Sequence, residues 1–152
     1  MDRNEIDVLK GDLQKRYNTV ERIYERILGD QSTFKNTIRN LESMAYQIHN
    51  LYGACEELFE IVATTFENQV ASPRYQADLL IRMQTEFEGI RPAFISPTTY
   101  KMLNKLRRFH HFFRHAYGAE IEADKLDENV RVALQLREQL RQDMESFIEK
   151  LR

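Results

Sequence analysis

Residues 34–66 read FKNTIRNLESMAYQIHNLYGACEELFEIVATTF. Apolar side chains return every three or four positions, through Ile38, Leu41, Ala45, Ile48, Tyr52, Cys55, Phe59, Val62 and Phe66. That is the period of one helix face, and it predicts a long helix from about Phe34 to Phe66. Gly53 falls inside it and weakens it modestly. Working outward, the same period runs through Ile6, Leu9, Leu13, Tyr17, Val20, Tyr24 and Ile27. Gly29 is the expected stop of that first helix, with Asp30 and Ser32 available to cap the next.

Downstream, Asn68 to Ser72 reads as a loop, and Ser72-Pro73 as a cap followed by proline in a first helical turn. A third helix carries Ala77, Leu80, Met83 and Phe87 and should stop at Gly89. Ile90 to Ser96 is a connector, and Ser96-Pro97 repeats the cap-and-proline pattern. A fourth helix then reaches about Tyr117, with Gly118 as its stop. A fifth, from about Asp124, carries Leu126, Val130, Leu134, Leu140, Met144, Phe147 and Leu151. No stretch alternates convincingly with the period of a strand. Long helices joined by short loops predict an all-α, up-and-down antiparallel bundle of four to five helices.

The 152 residues fit one domain, 1–152, and 42% hydrophobic content with five glycines and three prolines suits a helical core. The single Cys55 cannot form an internal disulfide and reads as a buried core thiol, in keeping with a reducing cytoplasm. The N-terminal MDRNEIDVLK is charged from its second residue, unlike a secretory leader, and no window is apolar enough to cross a membrane. A soluble, cytoplasmic protein is expected.

The net charge of −2 conceals an uneven distribution. Between Gly89 and Ala119 there is no Asp or Glu, while six basic residues occur: Arg91, Lys101, Lys105, Arg107, Arg108 and Arg114. Three of the four histidines, His110, His111 and His115, lie in the same interval. Such a local positive field attracts polyanions, phosphates above all. Helical spacing places Arg107, His111, Arg114 and His115 along one side, with Arg108 seven residues before His115, and His110, Arg114 and Tyr117 in an adjoining row. A near-neutral imidazole can give or take a proton, and a guanidinium can stabilise charge on a phosphoryl oxygen. RNA supplies its own nucleophile, the 2′-hydroxyl, so this set suits metal-independent phosphodiester cleavage.

The residues alone leave other readings open: non-catalytic RNA or protein binding, or a solvated face beside a core stripe. Phe109, Phe112 and Phe113 suit a core or an interface. His111 and His115 have the spacing of a helical metal pair, but no third ligand lies nearby, so no metal and no cofactor is expected. His49, on the second helix, reads as structural.

The run RRFHHFFRHAYG, residues 107–118, resembles the signature of HEPN-domain proteins, particularly the HepT-like toxins. That signature is an Arg, four to six residues, a His, then commonly any residue and a Tyr. His115-Ala116-Tyr117 matches its end. Six intervening residues put the arginine at Arg108; four put it at His110, where a neutral imidazole replaces a permanent forked charge. The resemblance implies a HEPN-like helical domain that dimerises with the motif helices lining one cleft. It implies the toxin of a type VII-like toxin–antitoxin pair, a ribonuclease cutting RNA, including tRNA, without metal. His115, Arg108 and His110 become the candidate catalytic residues, with impaired activity if His110 stands in for the arginine. Arg107, His111, Arg114 and Lys105 are the candidate RNA contacts. It further implies a nucleotidyltransferase antitoxin that neutralises the toxin by adding AMP to Tyr117. The competing expectation is a non-catalytic helical RNA- or protein-binding module.

Overall fold

The computed structural model describes residues 1–68, 75–115 and 120–152. They form five helices: α1 (Arg3–Asp30), α2 (Ile38–Glu67), α3 (Tyr75–Met83), α4 (Pro97–His115) and α5 (Ala123–Leu151). The chain is all-α, as its periodicity predicts; among the described residues the one strand-like feature is an isolated bridge between Phe87 and Arg91.

Helix α1 starts in a reciprocal cap. The Asp2 side chain accepts from the Glu5 amide, and the Glu5 side chain from the Asp2 amide, both at 2.8 Å. Its end departs from the sequence reading. Gly29 lies within the helix, which runs on to Asp30, and the following Gln31 keeps a right-handed φ of −56°. The chain then turns through residues 31–37 and drives the Phe34 ring, 3% exposed, into the core. Phe34 therefore belongs to the turn, and α2 begins after Thr37, whose hydroxyl accepts from the Asn40 amide at 3.0 Å. Thr37, not Asp30 or Ser32, is the cap. Ile38 points to solvent, 75% exposed, ahead of the buried stripe. Asn68 closes α2 in the left-handed region at φ 50°.

Helix α3 stops at Met83, short of the expected Gly89. Its last carbonyls are taken by the connector: Met83 accepts from the Phe94 and Ile95 amides at 2.8 and 3.1 Å. Arg91 donates to the Arg82 carbonyl at 2.9 Å and to both Glu67 oxygens at 2.8 Å each. Gly89, at φ +79°, serves instead in the tight turn that joins Phe87 to Arg91. The Ser72-Pro73 cap lies outside the described residues. The Ser96-Pro97 reading holds: the Ser96 hydroxyl accepts from the Thr99 amide at 3.2 Å and Pro97 opens α4.

Helix α4 runs antiparallel to both α2 and α5. Along α2 and α4, His49 meets His110 while Phe59 meets Phe94. Along α4 and α5, Lys105 pairs with Glu128 while the Ser96 amide reaches Asp143. One core unites the elements, with Leu13, Tyr24, Tyr52, Phe59, Leu106, Leu136 and Phe147 buried in it. Tyr24 satisfies its hydroxyl by donating to the Ala133 carbonyl at 2.7 Å, so α1 is tied to α5 through the interior. Cys55 is fully buried, and burial pushes its thiol up to about 12. Among the described residues no helix is long and apolar enough to cross a membrane.

Candidate active site

The buried stripe of α4, Leu103, Leu106 and Phe109, fixes the rotation of the helix and so decides what it shows to solvent. Arg108, His111, Arg114 and His115 are exposed. The His111 and His115 rings lie one turn apart, centroids 4.5 Å from each other. Arg107 is half-buried and donates from Nε to Asn104 at 3.0 Å. Lys105 reaches Glu128 of α5 at 3.5 Å. Tyr117 and Gly118 lie outside the described residues.

His110 sits apart from these. It is 7% exposed and lies against α2, its ring parallel to that of His49 within 7° at a centroid distance of 4.0 Å. Its Nδ1 is 3.0 Å from the His49 carbonyl. A carbonyl only accepts, so Nδ1 carries the proton and donates. Burial, then the charges of His49, Arg114 and His111, lowers the His110 pKa; burial and Arg114 do the same for His49. Both imidazoles are therefore neutral at physiological pH. Phe113 covers the His49 ring at 4.9 Å, with Tyr46 beyond it at 6.4 Å.

Of the aromatic run, Phe109 enters the core and Phe113 packs on α2, leaving Phe112 as the exposed ring, at 45%. The positive field is also smaller than the sequence suggests. The Arg91 side chain is fully buried in its ion pair with Glu67. Acidic side chains absent from the local sequence arrive from other helices: Glu128 from α5, and Glu56 from α2.

Glu56 is a feature the sequence reading missed. It is 8% exposed and accepts from the Gln76 side chain at 3.1 Å. Burial foremost, then neighbouring Glu60, pushes its carboxyl up to about 7, against the pull of Arg114 and Arg107. Its position four after Tyr52 and three before Phe59, at the edge of the α2 stripe, was the one clue in the sequence. Among the described residues no group of three or more His, Cys, Asp or Glu side chains is placed to hold a metal ion.

A helical bundle whose fourth helix carries Arg108 and His115 at the HEPN spacing, both exposed, is of the HEPN class. The sequence profile of the HepT-like protein family matches residues 43–151, and the chain belongs to that family. HepT-like proteins are generally HEPN ribonucleases of the toxin type. No curated protein and no solved structure matches the chain.

Proposed function

We propose that this chain is a metal-independent endoribonuclease, the toxin of a cytoplasmic toxin–antitoxin pair, with tRNA as its substrate. The observation that carries the reading is the joint exposure of Arg108, His111 and His115 on α4. In the reaction the 2′-oxygen of RNA forms a bond to the adjacent phosphorus while the bond to the 5′-oxygen breaks. The 2′-hydroxyl gives up its proton and the departing 5′-oxygen gains one. His115 serves in this proton traffic and Arg108 stabilises the charge on the phosphoryl oxygens. A second copy, packed through α4, brings a second His115 to the same groove and divides the roles of base and acid. Arg107, Arg114, His111 and Lys105 draw in the RNA backbone. His110, buried against α2, contributes by positioning α4. Tyr117 is the acceptor of AMP from a nucleotidyltransferase antitoxin.

A second reading, a non-catalytic RNA-binding module, is favoured by one observation: His110 occupies the four-residue motif position as a neutral, inward-facing ring. One experiment separates the two. Total tRNA is incubated in EDTA with the chain and with its His115→Ala form. Cleavage by the first, reduced about 10²–10⁴-fold in the second, supports the enzyme; binding without cleavage by either supports the module.

A further inference from the structure

A cavity of about 650 Å³ opens between α4 and the start of α5, beside the proposed cleavage site. Its walls include Lys105, Arg108, Phe109, Phe112, Ile121 and Asn129. The volume suits one nucleotide-sized ligand. Three features of the wall point to the same ligand. Phe112 is a half-exposed ring at the mouth, next to the buried Phe109 ring at 6.4 Å. Arg108 lines the cavity and has no ion pair among the described residues, whereas Lys105 is engaged by Glu128 and Lys125 by Glu122. Asn129 is 8% exposed; its Nδ2 donates to the Lys125 carbonyl at 2.9 Å, while its Oδ1 has no hydrogen-bond partner among the described residues.

An unsatisfied buried acceptor is costly, and a ligand N–H relieves that cost. One hydrogen of its amide NH2 is committed to Lys125, so the unsatisfied atom that Asn129 brings to the cavity wall is an acceptor. Glu120, Glu122 and Glu128 add further acceptors to the wall. Such a wall favours the two hydrogens of an exocyclic amine, as on adenine and cytosine, over uracil, whose edge presents a single imide N–H flanked by two carbonyls. Stacking on an exposed aromatic ring, with the phosphate met by a guanidinium, is how single-stranded RNA is held by many folds. The Oδ1 is covered, so the base enters as the rim parts. The rim is built of long side chains joined by surface ion pairs, such as Lys105–Glu128 at 3.5 Å, which hold it weakly.

We propose that the α4–α5 cavity is a nucleotide subsite that takes an unstacked, amine-bearing base of single-stranded RNA. The base stacks on Phe112, its amine donates to Asn129 Oδ1, and its phosphate meets Arg108. Since Arg108 also lies two turns before His115, the subsite would choose which nucleotides flank the cleaved bond. This rests on the reading of the substrate as RNA.

The test measures binding of short labelled oligo(A), oligo(C) and oligo(U) by fluorescence anisotropy, at one salt concentration, to full-length His115→Ala protein. Oligo(A) and oligo(C) should bind about fivefold or more tighter than oligo(U). Asn129→Ala should erase that ratio, and the surface change Phe112→Ala should weaken all three by about tenfold. Equal affinity for the three, unaltered by Phe112→Ala, overturns the subsite while leaving RNA cleavage to be judged on tRNA with the unsubstituted chain. If Phe112→Ala instead halves the light-scattering mass and leaves oligonucleotide affinity alone, a second copy occupies this surface and the subsite is likewise overturned.

Discussion

His110 of α4 lies flat on His49 of α2, 4.0 Å between ring centres, and donates Nδ1–H to the same residue's carbonyl. The pair fastens the motif helix to the core from beneath, while His111 and His115 face outward. One helix thus carries histidines in two environments, an inner one packed on α2 and an outer pair open to solvent.

The inner pair gives the fold a pH dependence of known sign. Both pKa values lie below the unfolded value of 6.5, so the unfolded chain binds more protons as pH falls. Their contribution is complete above about pH 6.5 and is lost as pH drops below it. The charge of Arg114, which lowers both pKa values, adds to the loss. Urea midpoints between pH 7 and pH 5 should fall more steeply for the natural chain than for His110→Gln. Parallel curves would show that the stack does not titrate with folding.

Glu56 acts in the opposite direction. A carboxyl held at about 7, against an ordinary 4.5, favours the folded chain while protonated, and that advantage is lost as pH rises from 4.5 to 7. Glu56→Gln keeps the acceptor for Gln76 and removes the charge. It should raise stability by about 1–3 kcal/mol at pH 8 and change it little at pH 4. Chemical denaturation at the two pH values checks this, and a gain of equal size at both would refute the carboxyl as its cause.

Arg91 joins the ends of α2 and α3 to the connector through Glu67, the Arg82 carbonyl and the Thr85 carbonyl. Removing one member of a buried pair strands the other. Arg91→Ala should cost about 3–5 kcal/mol, read as a lowered melting temperature, far more than Arg16→Ala at the exposed pair with Glu57. Equal, small losses at both sites would count against this account.

Arg108 should act on RNA through charge. Its replacement by Ala should lower affinity and reduce the slope of log K against log salt by about 0.7, the value for one contact to a single strand. An unchanged slope would place Arg108 off the backbone path.

Tyr117→Phe should escape modification when the protein is incubated with ATP, Mg²⁺ and a cognate nucleotidyltransferase. AMP on the natural tyrosine would set a bulky anion two residues from His115, competing with RNA phosphate for the arginines. Intact-mass spectrometry decides it: increments of AMP that persist in the Phe form would move the acceptor elsewhere.

Helix identity was legible because each helix buries one continuous face, and a face of period 3.6 is written in local sequence. Helix ends were not. Phe34 looks like another turn of α2 but is a plug from the preceding turn. Phe87 continues the α3 spacing but packs under the guanidiniums of Arg82 and Arg91, 4.9 and 5.0 Å from its ring centre. Those choices are made by long-range partners. The same division runs through the site. The content of α4 was readable from residues 101–118, and its rotation from the Leu103–Leu106–Phe109 stripe. That His49 would lie under His110, or that Glu56 would sit near Arg107 and Arg114, depends on contacts between residues some 60 positions apart, which no local pattern records.

The family match spans residues 43–151, whereas α1 ends at Asp30. Yet α1 places Leu13, Val20, Tyr24 and Ile27 in the interior with no solvent exposure, and Arg137 of α5 holds Glu21 and Glu25 across the seam. A shortened gene product begun at the family boundary would therefore lose a wall of its own interior. The apolar sides of α2 and α5 would stand open to water, a surface prone to clumping. The recognisable segment and the segment able to stand alone are different lengths of chain, and dissection of this protein has to follow the second.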